Sequence, residues 1–149
     1  MTKKPEEMTR EERKYMPYQK VPLVPIGTVP PLGLLPEKMH AWVIREDRFG
    51  EPLQSFRQEI VDVPEIGPNE ALVLVMAAGV NFNGIWAGRG KPISVLKITG
   101  KDFHIAGSDA SGIVWKVGEN VKHWRPGDEV VLRSEERRVG KECRSRWSP

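Results

Sequence analysis

Cysteine is almost missing from this 149-residue chain, with Cys143 the single example. An internal disulfide is therefore excluded, as is any cluster built on several thiolates, and a reducing, cytoplasmic setting fits. No apolar run approaches the ~20 residues that a membrane span needs. Behind the lysines of Met1-Thr-Lys-Lys-Pro-Glu-Glu7 there is no apolar stretch, which argues against a secretory leader. Internal repeats are absent. So is a G-x-G-x-x-G fingerprint, and no βαβ pattern is long enough to hold one, so a Rossmann domain is not expected in this sequence. The three histidines, His40, His104 and His123, are widely spaced and show no ligand-like pairing.

What is there suits one soluble domain: 39% hydrophobic and 29% charged residues. The net charge of +3 suggests nucleic acid until it is located. Residues 1–132 hold seventeen basic and seventeen acidic residues, whereas residues 133–149 hold six and three, which is the whole excess. A basic-patch reading would concern the tail alone, and neither nucleic acid nor membrane is expected as a partner.

The charged stretch over residues 5–16 predicts a short helix, with Thr9 and Glu12 as a capping pair. Residues 21–36 carry prolines at 22, 25, 30, 31 and 36 and glycines at 27 and 33. That density predicts an irregular extended arm over a neighbouring surface, or else a disordered leader. Strand patterns follow at 39–44 and 59–63, then over the apolar run 71–78, which reads as covered on both sides. Residues 64–70 are turn formers, 112–117 form a further core strand, and the turn Arg125-Pro-Gly-Asp128 feeds a last strand at 129–132. Short strands with glycine-rich turns predict a mainly β, barrel-like domain. The organisation expected is a helix and proline-rich arm over 1–36, a β domain over 37–132 and a basic tail over 133–149. That tail is either a solvated partner-binding segment or sequence foreign to the domain, with the second favoured because the preceding strand is interrupted without a turn.

Three segments, taken in order, resemble the catalytic domain of the medium-chain dehydrogenase/reductase superfamily, whose partly open barrel is called GroES-like. They are Ala77-Ala-Gly-Val-Asn-Phe-Asn-Gly84, Gly107-Ser-Asp-Ala-Ser-Gly-Ile-Val114 with Val117-Gly118, and Pro126-Gly-Asp-Glu-Val130. Longer strings narrow the resemblance to crotonyl-CoA carboxylase/reductases. These are Met76 through Gly88, His104 through Gly118, and the leader Val21-Pro-Leu-Val-Pro-Ile-Gly-Thr-Val-Pro-Pro-Leu-Gly33 before Pro36-Glu-Lys-Met39.

The resemblance implies NADPH-dependent reductive carboxylation of an enoyl-CoA, crotonyl-CoA and CO2 giving ethylmalonyl-CoA, in a homo-oligomer of longer chains. It also implies an incomplete domain here, inactive by itself. Zinc-dependent relatives place a cysteine where this sequence has Asn81 and a histidine where it has Ser108. An amide and a hydroxyl are poor zinc ligands, so chemistry without zinc is expected. Asn81, with Asn83 second, is the candidate to hold CO2 through its amide donors; the alternative is that both cap a turn at a strand end. Phe82 and Trp86 either wall the substrate pocket against water or fill core beneath the loop. Gly107, Ser108 and Asp109 fall where the superfamily brings backbone near the nicotinamide half of the cofactor, although Asp109 could instead pin the loop. Two other readings stay open, a non-carboxylating enoyl or quinone reductase of the same fold and a stand-alone β-barrel binding module with a basic tail.

Overall fold

The computed structural model describes residues 3–132. Among them β structure dominates: β1 (Gln19–Leu23), β2 (Leu34–Ile44), β3 (Arg57–Asp62), β4 (Ala71–Gly79), β5 (His104–Ile105), β6 (Asp109–Val117) and β7 (Glu129–Leu132). Three short helices interrupt them: α1 (Pro52–Ser55), α2 (Phe82–Arg89) and α3 (Val95–Thr99). One sheet has the order β1-β2-β3 with β5 also on β2; the other has the order β4-β6-β7. The sheets do not close on themselves, so the mainly β, partly open architecture expected from the sequence is present. No helix among the described residues is long and apolar enough to cross a membrane. The chain divides into two compact units. One takes the residues up to Met39, Asp62–Ala77 and Ser111–Val130; the other takes His40–Val61, Ala78–Ala110 and the residues from Val131. The domain boundary expected at 36/37 falls inside β2, and the expected tail over 133–149 lies outside the described residues.

In the first unit the proline-rich segment is more regular than its composition predicts. β1 runs parallel to β2, pairing Gln19 with Leu34, Val21 with Pro36 and Leu23 with Lys38. Only the ends of the segment, 21–23 and 34–36, are strand; residues 24–33 between them are turns and irregular chain, as the proline density predicts. Pro22 is tolerated because β1 is an edge strand, where a missing N–H can face away from the partner. The single helix expected over 5–16 is replaced by two 3-10 turns, Pro5–Glu7 and Glu12–Tyr15. Its capping pair does form: the Thr9 amide donates to Glu12 Oε2 at 2.8 Å and the Glu12 amide to Thr9 Oγ1 at 3.3 Å.

Tertiary contacts override the marginal propensity of so short a helix. Arg10 donates to both oxygens of Asp128, at 2.9 and 2.7 Å, and to the His123 carbonyl at 2.8 Å. Lys14 donates to the carbonyls of Glu119 and Val121, and Arg125 donates to Glu11 at 2.9 Å. Burial pushes the Asp128 carboxyl up, but the bonds from Arg10 and the Arg125 amide outweigh it and hold the group below its ordinary range. Residues 9–16 thereby form a strap tied to the turns at 118–128.

The core of this unit is Met16, Val114, Trp115 and Val130. The Trp115 indole N–H donates to the Leu34 carbonyl, and the Tyr18 hydroxyl donates to the Trp115 carbonyl at 2.8 Å. Burial pushes the Tyr18 phenol up to about 12. β6 lies tight against β4 at Gly112, where an added Cβ would sit 2.1 Å from the Leu74 carbonyl oxygen. β4 itself is not covered on both sides, as its apolar run suggested. None of its residues is buried, and Val75 and Met76 are about half exposed. A run of consecutive apolar residues carries no information on which face is covered.

The second unit packs Ala41, Val43, Ile44, Val61, Ala87 and Leu96 around the buried hydroxyls of Ser55 and Ser94. α1 meets α2 closely because Gly88 leaves room for Ser55, whose Oγ is 2.6 Å from where a Cβ would stand. Glu59 lies between two arginines, accepting from Arg45 at 2.7 Å and from Arg48 at 2.6 Å. The Arg45 bonds, then those from Arg48, lower the Glu59 carboxyl from its usual 4.5 to about 2. Because this carboxyl is depressed in the folded state, its contribution is complete above pH 4.5 and is lost as pH falls toward 2. Glu59→Gln is expected to make the melting temperature less pH-dependent in that window. Equal acid slopes for the two proteins would refute the assignment.

Candidate functional site

The site forms where β4 ends. Gly79 is the last residue of the strand, Val80 is fully exposed, and the chain enters α2 at Phe82. Asn81 is the N-cap of that helix, with extended backbone (φ −140°) and its side-chain Oδ1 accepting from the Asn83 amide at 3.0 Å. Asparagine is suited to this position because its carbonyl satisfies a helix N–H that has no intrahelical partner. The other half of its amide faces β6. Nδ2 donates to Ser108 Oγ at 2.7 Å and to Asp109 Oδ2 at 2.8 Å. All three side chains are half-buried.

Two glycines make this convergence possible. Gly107 has φ +115°, a left-handed conformation that L side chains rarely adopt, and it turns the chain out of β5 towards β6. At Gly79 an added Cβ would be 3.3 Å from Asp109 Cβ, a tight contact, so the missing side chain eases the close passage of β4 past Asp109.

The structure thus brings together three residues named from the sequence, Asn81, Ser108 and Asp109, although they were assigned to different roles. The capping alternative for Asn81 is realised, and it coexists with the donor geometry because the two ends of one amide serve the two purposes. Asn83 takes part through its backbone, and its side chain is exposed. Phe82 and Trp86 are 70% and 51% exposed, so they do not fill core. One helical turn apart, they share a face of α2. The sequence reading missed α2 itself, and with it the reason that Asn81 has a fixed conformation. The signal available was Gly90, a left-handed C-cap two residues before Pro92.

Other features of the second unit are less organised. Arg45, Glu46, Asp47, Leu96, Lys97, Lys101 and Asp102 line an open groove of about 600 Å³ that includes none of the three site residues. His104 is pushed down, first by burial and then by Lys101. Among the described residues no group of three or more His, Cys, Asp or Glu side chains could hold a metal ion. The backbone at Gly107 is open, with nothing within 4 Å of an added Cβ. No glycine-rich phosphate cradle accompanies it among the described residues.

Comparison with known proteins gives the family. Residues 67–147 match the alcohol dehydrogenase GroES-like domain. The crotonyl-CoA carboxylase/reductase of Cereibacter sphaeroides is 58% identical over 110 residues, covering 74% of this chain and 26% of that protein. The crotonyl-CoA reductase of Streptomyces collinus is 38% identical over 120 residues, 65% of this chain and 27% of that protein. A solved crotonyl-CoA carboxylase/reductase superposes with a TM-score of 0.75 at 50% identity, covering 89% of this chain and 31% of its own. Another, solved in complex with NADP, gives a TM-score of 0.69 at 49% identity, covering 77% of this chain and 29% of its own. The chain spans about a quarter of the length of these curated relatives. It belongs to the alcohol dehydrogenase GroES-like domain family, and within that domain it is similar to crotonyl-CoA carboxylase/reductases.

Proposed function

We propose that this domain forms the substrate-side wall of an NADPH-dependent reductive carboxylase acting on a short enoyl-CoA, converting crotonyl-CoA and CO2 to ethylmalonyl-CoA. The observation that carries the reading is the Asn81 amide, held at the mouth of a β-strand with its N–H groups turned toward Ser108 and Asp109. NADPH, when bound, supplies the hydride that reduces the β-carbon of the enoyl thioester. The electron pair left at the α-carbon then forms the new bond to CO2, whose oxygens take up the negative charge. Asn81 donates to those oxygens as the charge develops, a neutral donor whose strength does not depend on pH.

Both amide hydrogens have acceptors in the structure, so one bond must open for this to happen. The Ser108 bond is the one that opens, since a hydroxyl reorients at little cost and can itself turn to donate. Phe82 and Trp86, exposed on one face of α2, are suited to shielding the α-carbon from water, which would otherwise protonate it. Gly107, Ser108 and Asp109 present backbone and polar groups to the nicotinamide ring. No zinc takes part in this reading, because an amide and a hydroxyl occupy the positions of the ligands. The setting is a cytoplasmic homo-oligomer of longer chains, with no nucleic acid or membrane partner.

The test is made in a protein of the relatives' full length that carries this sequence. Carboxylated and reduced acyl-CoA products are separated by mass. Asn81→Leu is expected to lower their ratio about a hundredfold, the usual consequence of removing one well-placed donor, and Asn83→Ala to lower it far less. An unchanged ratio in Asn81→Leu would sink the proposal. Formation of the reduced product alone by the unsubstituted protein would establish a simple reductase, the reading favoured by similarity to the Streptomyces crotonyl-CoA reductase.

A further inference from the structure

We propose that Asp109 is a positioning residue that, together with the Asn83 backbone N–H, fixes which end of the Asn81 amide meets the substrate. The inference rests on the reading of Asn81 given above. An asparagine amide has two nearly isosteric orientations, and only unlike neighbours can choose between them. Asn81 has such neighbours. The Asn83 backbone N–H, 3.0 Å away, can only donate, so it requires the carbonyl oxygen on its side. The Asp109 carboxylate, 2.8 Å away on the other side, only accepts when ionised and requires the NH2 group. Ser108 does not discriminate, because its hydroxyl can donate or accept with equal ease.

Asp109 follows the left-handed turn at Gly107 and packs against Gly79, where an added Cβ would stand 3.3 Å from its own Cβ. The consequence concerns the moment when the Ser108 bond opens. With one N–H still tied to Asp109, the amide turns its second N–H to the incoming oxygen. Without that tie only the Asn83 N–H holds the amide's orientation, and a rotation that presents the carbonyl oxygen, which repels a developing carboxylate, is opposed from one side alone.

The measurement is again the ratio of carboxylated to reduced product in a protein of the relatives' full length carrying this sequence. Asp109→Leu is expected to lower the ratio about tenfold, the scale of one lost hydrogen bond to a charged group. Asp109→Asn, which keeps the shape and one acceptor oxygen, is expected to fall between Asp109→Leu and the unsubstituted protein, and it serves as the readout if the leucine variant does not fold. The double variant Asn81→Leu/Asp109→Leu is expected to match Asn81→Leu alone, because Asp109 acts through Asn81. Independent, multiplying losses in the double variant would show Asp109 to be a loop support only and would overturn the proposal. So would an unchanged ratio in the Asp109 variants alongside a fall in Asn81→Leu. An unchanged ratio in Asn81→Leu itself removes both the CO2 reading and this proposal, which distinguishes the two failures.

Discussion

Gly112→Ala does not give a folded protein. The alanine Cβ would stand 2.1 Å from the Leu74 carbonyl oxygen, 3.0 Å from the Leu74 carbonyl carbon and 3.0 Å from Val73 Cγ1. The nearest obstacles are backbone atoms of β4, which cannot rotate away as a side chain would. Relief requires β4 and β6 to separate at the centre of the β4-β6-β7 sheet, and the ladder bonds there would be left unmade. Flanking the clash is Val114, fully buried, so movement of β6 also opens the core. The expected cost exceeds about 4 kcal/mol, in the range reserved for severe core disruption. Chemical denaturation followed by near-ultraviolet circular dichroism reads it directly. A cooperative transition within about 1 kcal/mol of the parent would show that the strands are further apart than described.

The second large effect belongs to Trp115. Its side chain is 4% exposed, its indole N–H donates to the Leu34 carbonyl, and its own carbonyl accepts from Tyr18. One residue therefore joins β6 to the start of β2 and to the segment before β1. Trp115→Ala is expected to cost about 3–5 kcal/mol, combining lost burial with the cavity that remains. Trp115→Phe keeps most of the apolar volume but strands the Leu34 carbonyl, and about 1–3 kcal/mol is expected. The difference between the variants separates packing from hydrogen bonding. Equal losses in the two would mean that the indole N–H dominates.

How much of this was legible beforehand depended on whether the deciding contact was local. The β-rich class, the turn at 125–128 and the pairing of Thr9 with Glu12 all rest on neighbours a few residues apart. They could be read from residue type and spacing. β1 could not, because its parallel partner is supplied by β2 and its Pro22 speaks against a strand. The two exposed faces near Val75 and Met76 were hidden by an apolar run that fits a covered strand equally well.

At the site, Asn81 and Ser108 were picked out as a pair of replaced ligands. The structure places them in direct hydrogen-bond contact, with Asp109 beside them. Phe82 and Trp86 were named without their setting, since a segment with two glycines, Phe82-Asn-Gly-Ile-Trp-Ala-Gly-Arg89, shows little helical amphipathicity. Its helix is fixed by its caps and by contact with α1, neither of which the hydrophobic pattern displays.

The strap over residues 9–16 has a bearing on biosynthesis. Arg10 leaves the ribosome first, yet its partner Asp128 lies 118 positions later in the chain. At translation speeds of about 5–20 residues per second, the wait is on the order of ten seconds. Throughout that interval Arg10 and Lys14 lack the acceptors that residues 119–128 supply. A segment dense in charge, with few apolar groups to bury, is well suited to stay solvated while it waits. Charge in the strap therefore keeps this segment solvated until the turns at 118–128 emerge and bind it.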